Sequence, residues 1–367
     1  MPTVLVASGG TGGHLFPAIA LAQELVRRRP STRIVFAGAG RTAGRNAVLE
    51  HGFEWHSVPG RGMPRRGVFR MVPFAWALLR GVLASRKLVR RLRPDVAVGF
   101  GNYGSVAPLY AAHRRRVPLV IHEANALPGK ANRFLARYAH VVGVHFAEAG
   151  DALEGRGNDR IETVGMPVRA ELLEPPDPRE ARRAYGLDEG AFTLLVMGGS
   201  QGAVRLNEIV CAALPQLERI EPPVQVIHLC GSGHDEHVRR AYEGHTVTHI
   251  VQAFESDMAR AYAAADCAFC RAGAATLAEL AVTGTPGLLV PYPFATEAHQ
   301  ARNAEAFERS GAARVVHQEN LEPAVLVEYV RQMQNSKTRQ KMGRNARRIA
   351  HPDAAARLAD VVEKCIS

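Results

Sequence analysis

Val4-Leu-Val-Ala-Ser-Gly-Gly-Thr-Gly-Gly-His-Leu-Phe-Pro17 reads in three parts. Val4 to Ala7 is a short apolar run rich in β-branched residues, as a buried parallel strand requires. Gly9, Gly10, Gly12 and Gly13 make a loop almost bare of side chains. Pro17 then opens a helix, near the first turn where a missing N–H costs little. Ala18 to Leu25 carry it on with strong helix formers. A strand, a glycine loop and a helix start together make an anion site: amides are exposed, a ligand can approach closely, and the helix dipole favours negative charge. His14 stands where loop meets helix, and an imidazole there exchanges a proton near neutral pH. A turn that merely joined strand to helix would need fewer glycines. The spacing is not G-x-G-x-x-G. The next strand, Arg33-Ile-Val-Phe-Ala-Gly38, also ends without the acid that would hold a ribose, which argues against a dinucleotide cofactor.

The same pattern returns at Thr193-Leu-Leu-Val-Met-Gly-Gly-Ser-Gln-Gly-Ala203. A repeat of this length predicts an α/β fold of two doubly wound halves, each with a glycine loop at the carboxyl edge of its sheet. The proline cluster Glu174-Pro-Pro-Asp-Pro178, followed by charged Arg179 to Arg183, reads as a domain linker. Further strands of the first half are expected at Asp95–Gly101 and Pro118–His122, with Val141–His145 the last. Ligands of open α/β sheets bind beyond the carboxyl ends of strands. His14, Asn102, Tyr103, His122, Glu123 and Asn125 are therefore candidates for one cleft, although each polar loop residue taken singly reads as a turn cap. In the second half, a small-residue turn ending at Thr276 feeds a helix from Leu277, and a diphosphate suits such a helix start. Glu279 follows in what reads as the first turn, as a ribose ligand or a helix-dipole carboxylate. The loop after Gly287–Pro291 carries Glu297, His299 and Gln300.

Two domains are the natural division of 367 residues. With 46 Lys+Arg against 35 Asp+Glu, the net charge of +11 points to an anionic partner: phosphate esters, nucleic acid or an anionic membrane. Aromatic content is 6% and shows no interleaving with basic residues, which argues against nucleic-acid stacking. Val68 to Leu79 is apolar, and Arg80, Arg86, Lys87, Arg90, Arg91 and Arg93 follow it. That stretch is either a core helix with a solvated end or an apolar patch ringed by cations at a membrane surface. No basic n-region of a signal peptide precedes Val4, and no apolar run reaches the ~18 residues of a spanning helix. The five cysteines are scattered, which suits a reducing compartment. Cys267 and Cys270 are three apart on an expected strand and so point to opposite faces, against a metal or redox pair.

Several short motifs occur in a fixed order: Gly9-Gly-Thr-Gly-Gly-His14; His122-Glu-Ala-Asn125 with Gly129 and Asn132; Gly165-Met-Pro-Val-Arg169; Gly198-Gly-Ser-Gln-Gly-Ala203; and Arg271-Ala-Gly-Ala-Ala-Thr-Leu-Ala-Glu279. Over nearly the whole chain this set resembles the MurG family, the bacterial lipid-linked N-acetylglucosaminyltransferases of peptidoglycan synthesis. The resemblance implies the GT-B architecture, two Rossmann-like domains facing across a cleft. It implies residues 1–164 as the acceptor and membrane domain, with a helix at 350–367 packing back on it, and 165–349 as the UDP-sugar domain. The implied reaction moves N-acetylglucosamine from UDP-N-acetylglucosamine to the 4-hydroxyl of muramoyl-pentapeptide diphospho-undecaprenol, with inversion and with no cofactor or metal. The implied location is the cytoplasmic face of the bacterial inner membrane, as a peripheral protein on an anionic surface.

Carried over by motif, Thr11, Gly12 and Gly13 line the cleft and Asn125 faces the sugar. Arg169 and Ser200 approach the diphosphate, and Ala274, Ala275 and Thr276 offer it amides. Glu279 holds the ribose, Gln300 reads sugar hydroxyls, and the backbone at Glu255 meets the uracil. The chain departs from the family pattern at Asn102, Ala124, Met166 and His299, where glycine, glutamine, asparagine and glutamine are usual. An inverting displacement needs a base on the acceptor hydroxyl and stabilisation of the departing diphosphate. His14 leads for the first task and Glu123 is the fallback. A UDP-sugar epimerase of the same fold and a basic nucleic-acid-binding protein are the alternatives.

Overall fold

The computed structural model describes residues 1–9, 12–39, 42–60, 68–154, 160–199, 202–294 and 298–366, and of 42–43 and 68–71 the backbone alone. Thr11, Ser200, Arg65, Arg66 and Glu297 lie outside the described residues. The chain divides into two units, Met1–Arg169 with His351–Ser367, and Ala170–Ala350. The first contains β1 (Thr3–Ala7), α1 (Gly12–Arg28), β2 (Arg33–Gly38), α2 (Thr42–Glu50), β3 (Glu54–Ser57), α3 (Val68–Leu92), β4 (Val96–Gly99), α4 (Tyr103–His113), β5 (Leu119–Glu123), α5 (Lys130–Leu135), β6 (Val141–Val144), α6 (Ala147–Asp151) and β7 (Ile161–Thr163). The second contains α7 (Pro178–Ala184), β8 (Phe192–Met197), α8 (Val204–Leu217), β9 (Val224–Leu229), α9 (Asp235–Tyr242), β10 (Thr248–Gln252), α10 (Met258–Ala264), β11 (Cys267–Cys270), α11 (Ala274–Thr283), β12 (Gly287–Leu289), α12 (His299–Arg309), β13 (Ala313–Val315), α13 (Pro323–Gln334) and α14 (Ser336–Arg348). A last helix, α15 (Ala354–Glu363), returns to the first unit.

Among the described residues the first sheet runs β3-β2-β1-β4-β5-β6-β7 and the second β10-β9-β8-β11-β12-β13. Every recorded pairing is parallel. The order reverses beside β1 in one sheet and beside β8 in the other, which puts both glycine loops at switch points.

The apolar run at the start of β1 has a purpose on each face. Val4 and Val6 join one core with Leu15, Ile19 and Leu25 of α1 and Leu358 and Val362 of α15. Leu5 and Ala7 join the opposite core with Leu88 and Val89 of α3 and Leu109 of α4. Alternation sends successive residues to opposite faces, and helices cover both, so every position is apolar. Burying such a side chain contributes about 1.5–3 kcal/mol over leaving it in water.

The observed elements depart from the sequence reading in several places. α1 starts at Gly12, not at Pro17, which lies inside the helix. Proline crowds the carbonyl four residues back; here that residue is Gly13, around which a Cβ would meet nothing within 4 Å. Val141–Val144 is not the last strand of the first half, because β7 pairs with β6 outside it. Glu174–Pro178 is not the boundary: it lies within the second unit, where Asp177 caps α7 and Pro178 is its first residue. The apolar stretch from Val68 belongs to a 25-residue helix with two faces. Phe74 is edge-on to Tyr103 at 5.8 Å and Leu78 packs on the core, whereas Val72, Trp76, Leu79 and Leu83 are exposed. No helix among the described residues is long and apolar enough to cross a membrane.

Candidate active site

The carboxyl edge of the first sheet is built around α1. Ser8, fully buried after β1, donates its hydroxyl to the carbonyl of His14 at 3.1 Å. This fixes the start of the helix and leaves the half-exposed imidazole at its third residue. Gly101 has φ +83°, and a Cβ there would lie 3.4 Å from His14 Cδ2 and 3.4 Å from Asn132 Nδ2. Glycine therefore serves twice at this point: it takes the left-handed conformation and gives the imidazole a flat backbone to lie against.

Next to it, Glu123 is buried and its carboxylate is occupied. Oε1 accepts from the Asn125 N–H at 2.9 Å and from Asn125 Nδ2 at 3.0 Å. Oε2 accepts from the Gly129 N–H at 3.0 Å and from Asn132 Nδ2 at 2.9 Å. A carboxylate has about four lone-pair sites, and these four donors take them. Glu123 thus clamps the Asn125 loop. His122 does not join the cleft. It is buried, its Nε2–H donates to the Gly165 carbonyl at 2.8 Å, and burial holds its pKa below the usual value. Asn102 caps α4 from φ +56°, its Oδ1 accepting from the Gly104 N–H at 2.7 Å. Of the six strand-end candidates, His14, Asn102, Tyr103 and Asn125 are half-exposed, with Asn102 engaged as the cap of α4 and Tyr103 against Phe74.

Arg169 closes this unit. Its guanidinium lies 4.8 Å over the ring of Phe16, a residue of α1. That ring in turn backs Gly12, whose Cβ would come within 3.3 Å of it. The cation expected at the diphosphate thus sits against the first glycine loop's helix, a cation–π contact that holds it there.

In the second unit, β8 ends at Met197 and runs into Gly198 and Gly199, the latter at φ +84°. A Cβ on Gly198 would meet the Ala203 nitrogen at 2.3 Å, and one on Gly202 the Cys230 carbonyl oxygen at 2.3 Å. At Gly198 and Gly202 the backbone is packed too closely for a side chain. α11 begins at Ala274 behind Gly273, with no side-chain cap and no acidic residue in its first turn. The amides of Ala274, Ala275 and Thr276 have no acceptor within the helix, as at any helix start. Glu279 lies in the second turn, not the first, so the helix-dipole explanation for it weakens. Tyr262 of α10, buried, donates its hydroxyl to Glu279 Oε2 at 3.0 Å. That tyrosine was invisible among the alanines of α10, where nothing in the sequence marks its partner.

Glu255 is turned inward. Its carboxylate accepts from the Tyr185 hydroxyl at 2.6 Å, the Asp257 N–H at 2.8 Å and Arg260 at 3.2 Å. Three of about four acceptor sites on this carboxylate are thus taken within the protein. Gln300, in the first turn of α12, accepts the Tyr292 N–H on its carbonyl at 2.9 Å, so toward a sugar its amide acts as a donor. Cys267 and Cys270 lie buried in β11, and burial pushes the Cys270 thiol up to about 12, outside the range of a reactive thiolate.

Comparison with known proteins identifies the family. Residues 4–144 match the glycosyltransferase family 28 N-terminal domain and residues 193–358 its C-terminal domain. A protein of Anaeromyxobacter dehalogenans (strain 2CP-1 / ATCC BAA-258) is 37% identical over 359 residues, 98% of this chain and 91% of its own. It is named UDP-N-acetylglucosamine–N-acetylmuramyl-(pentapeptide) pyrophosphoryl-undecaprenol N-acetylglucosamine transferase. The crystal structure of Acinetobacter baumannii MurG superposes with a TM-score of 0.76 at 28% identity, covering 99% of this chain and 100% of that one. A UDP-GlcNAc 2-epimerase from Neisseria meningitidis superposes with a TM-score of 0.70 over 99% of this chain and 100% of its own, but at 11% identity it shares the fold alone. With two parallel-sheet α/β units and both family 28 domains, the fold is GT-B. The chain belongs to glycosyltransferase family 28 and, within it, to the family of UDP-N-acetylglucosamine–N-acetylmuramyl-(pentapeptide) pyrophosphoryl-undecaprenol N-acetylglucosamine transferases.

Proposed function

We propose that this chain transfers N-acetylglucosamine from UDP-N-acetylglucosamine to the 4-hydroxyl of a lipid-linked muramoyl-pentapeptide, with inversion at the anomeric carbon. The observation that carries the reading is a pair of stripped glycine loops at matching places in the two sheets, one leading to His14 and the other flanked by the bare start of α11. In this reading the acceptor oxygen attacks C1 as the bond to the UDP oxygen breaks. His14 takes the hydroxyl proton, and the charge gathering on the diphosphate is met by the amides of Ala274, Ala275 and Thr276 with help from Arg169 and Ser200. Glu279 accepts from the ribose hydroxyls, Asn125 and Gln300 orient the transferred sugar, the backbone at Glu255 meets the uracil, and Thr11, Gly12 and Gly13 let the acceptor approach.

The same reading places the protein on the cytoplasmic face of the inner membrane as a peripheral enzyme. Val72, Trp76, Leu79 and Leu83 recur on α3 at spacings of four, three and four, which puts them in one exposed stripe. Arg86, Lys87 and Arg90, also exposed, continue it toward the end of the helix. Apolar side chains beside cations suit an anionic lipid surface.

The test is to incubate the protein with radiolabelled UDP-N-acetylglucosamine and a short-chain acceptor analogue. A β-1,4-linked disaccharide on the acceptor is expected. Recovery of a 2-epimerised sugar, or of label that never reaches the acceptor, would sink the proposal.

A further inference from the structure

We infer that Tyr262 is a positioning residue for the nucleotide ribose, acting through Glu279; this rests on the donor reading given above. Tyr262 stands where three parts of the second unit meet. Its ring is buried on α10. Its hydroxyl donates to Glu279 Oε2 on α11 at 3.0 Å and lies 3.7 Å from the sulfur of Met197, the last residue of β8 before Gly198 and Gly199. One phenol thus ties the carboxylate proposed for the ribose to the strand that presents the second glycine loop.

The chemistry of a ribose diol explains why such a tie matters. Two vicinal hydroxyls donate to one carboxylate only if its plane is turned toward them. A glutamate on a helix surface samples many rotamers, and ordering it costs free energy on binding. A buried phenol has one fixed direction. By donating to Oε2 it holds the carboxylate in a single orientation and supports its role as an acceptor, while occupying one of about four lone-pair sites. Thr283 Oγ1, one turn on, donates to the Glu279 carbonyl at 2.9 Å and anchors the backbone of the same residue. Tyr262 is set too deep to touch the nucleotide itself, so its effect passes through Glu279.

A double-mutant cycle read by calorimetry tests this. Wild type, Tyr262→Phe, Glu279→Gln and the double variant are titrated with UDP and with 2′,3′-dideoxy-UDP. Tyr262→Phe keeps the ring and removes one hydroxyl, and circular dichroism and a melting curve confirm the fold. It is expected to weaken UDP by about tenfold, the size of one hydrogen bond to a charged group. It should leave dideoxy-UDP unchanged and add nothing in the Glu279→Gln background. Equal weakening of both nucleotides, or an additive double variant, would show that Tyr262 merely packs, and overturns the inference. So does full UDP affinity in Tyr262→Phe while Glu279→Gln is weak. If Glu279→Gln alone leaves UDP binding intact, the ribose assignment of Glu279 fails first and the inference falls with it.

Discussion

β1 and β8 each hold the switch point of their sheet, and each runs into a pair of glycines before a helix. Beyond that the two edges diverge. The first helix begins at once, with a histidine third in line and a buried, fully hydrogen-bonded Glu123 behind it. The second has no acidic residue and no histidine in the first turn of its helix, and Glu279, on another helix, is held by a tyrosine. The backbone of the βα unit supplies the same anion-friendly cradle twice. In the proposed reading, what one helix start adds is a proton-transfer group, and what the other gains from its neighbours is a ribose ligand. A duplicated fold can therefore be divided by chemistry: one half for the group that must lose a proton, the other for the group that must leave with charge.

The sharpest way to break that division is His14→Ala. If the first edge serves proton transfer, turnover falls by ~10²–10⁴-fold while UDP affinity hardly changes. Steady-state rates beside calorimetry on the same protein decide it, and near-normal turnover removes His14 from the chemistry. On the other edge, Glu279→Ala should lower UDP affinity by about 1–3 kcal/mol. Unchanged binding would erase the contrast from the donor side.

The buried histidines sharpen the comparison through pH. His228 of the second unit has both ring nitrogens paired, with the Tyr242 hydroxyl at 3.2 Å and Asn207 Oδ1 at 3.1 Å. His145 of the first is buried beside His122 and His351, and neither of its nitrogens has a hydrogen-bond partner among the described residues. Burial lowers His145 to about 3. A histidine depressed in the folded state stays neutral there while the unfolded chain takes a proton below about 6.5. Stability is then complete above that value and is lost as pH falls toward 3, by about 1.4 kcal/mol per pH unit for each such group. Both tryptophans, Trp55 and Trp76, belong to the first unit, so their fluorescence reports its unfolding. His145→Phe should flatten the stability of that unit between pH 6.5 and 4.5, and an unaltered slope would mean the ring is already solvated. The smallest effect is expected at the surface. Trp76→Ser with Leu79→Ser should reduce binding to anionic vesicles, and added salt should do the same. Both changes should spare activity on a short, soluble acceptor; vesicle binding indifferent to both would place the membrane face elsewhere.

The readable part of the sequence was the part governed by local rules. Val4–Ala7 and Phe192–Met197 are buried on both faces, so they are almost wholly apolar and stand out, and the first glycine after each, Gly9 and Gly198, leaves no room for a side chain. β3 and β7 escaped because Glu54, Ser57, Glu162 and Thr163 are exposed on sheet edges, where no apolar run forms. Phe74 and Trp76 look alike in sequence, two residues apart, yet the turn of the helix points one at Tyr103 and the other at solvent. Glu123 was half legible for a different reason. A carboxylate beside a candidate base suggests chemistry until its donors are counted, and those donors, Asn125, Gly129 and Asn132, follow it by two, six and nine residues. Tyr262 and Glu279 are 17 apart on different helices, a pairing that only the packed structure reveals.

The returning helix has a consequence for how the protein is made. α15 lays Leu358, Val361 and Val362 on the face of the first sheet that carries Val4 and Val6, and Arg28 of α1 fastens it through Asp360, Glu363 and the Ala356 carbonyl. A ribosome must synthesise the whole of Ala170–Ala350 before it delivers this helix. Throughout that interval the earliest strand to emerge has one apolar face without its final cover. The amino-terminal half is thus begun first and finished last, and it depends on the intervening half folding without trapping that face. A fragment ending at Arg169 would keep this defect permanently, whereas the Ala170–Ala350 segment contains every helix and strand of its own unit.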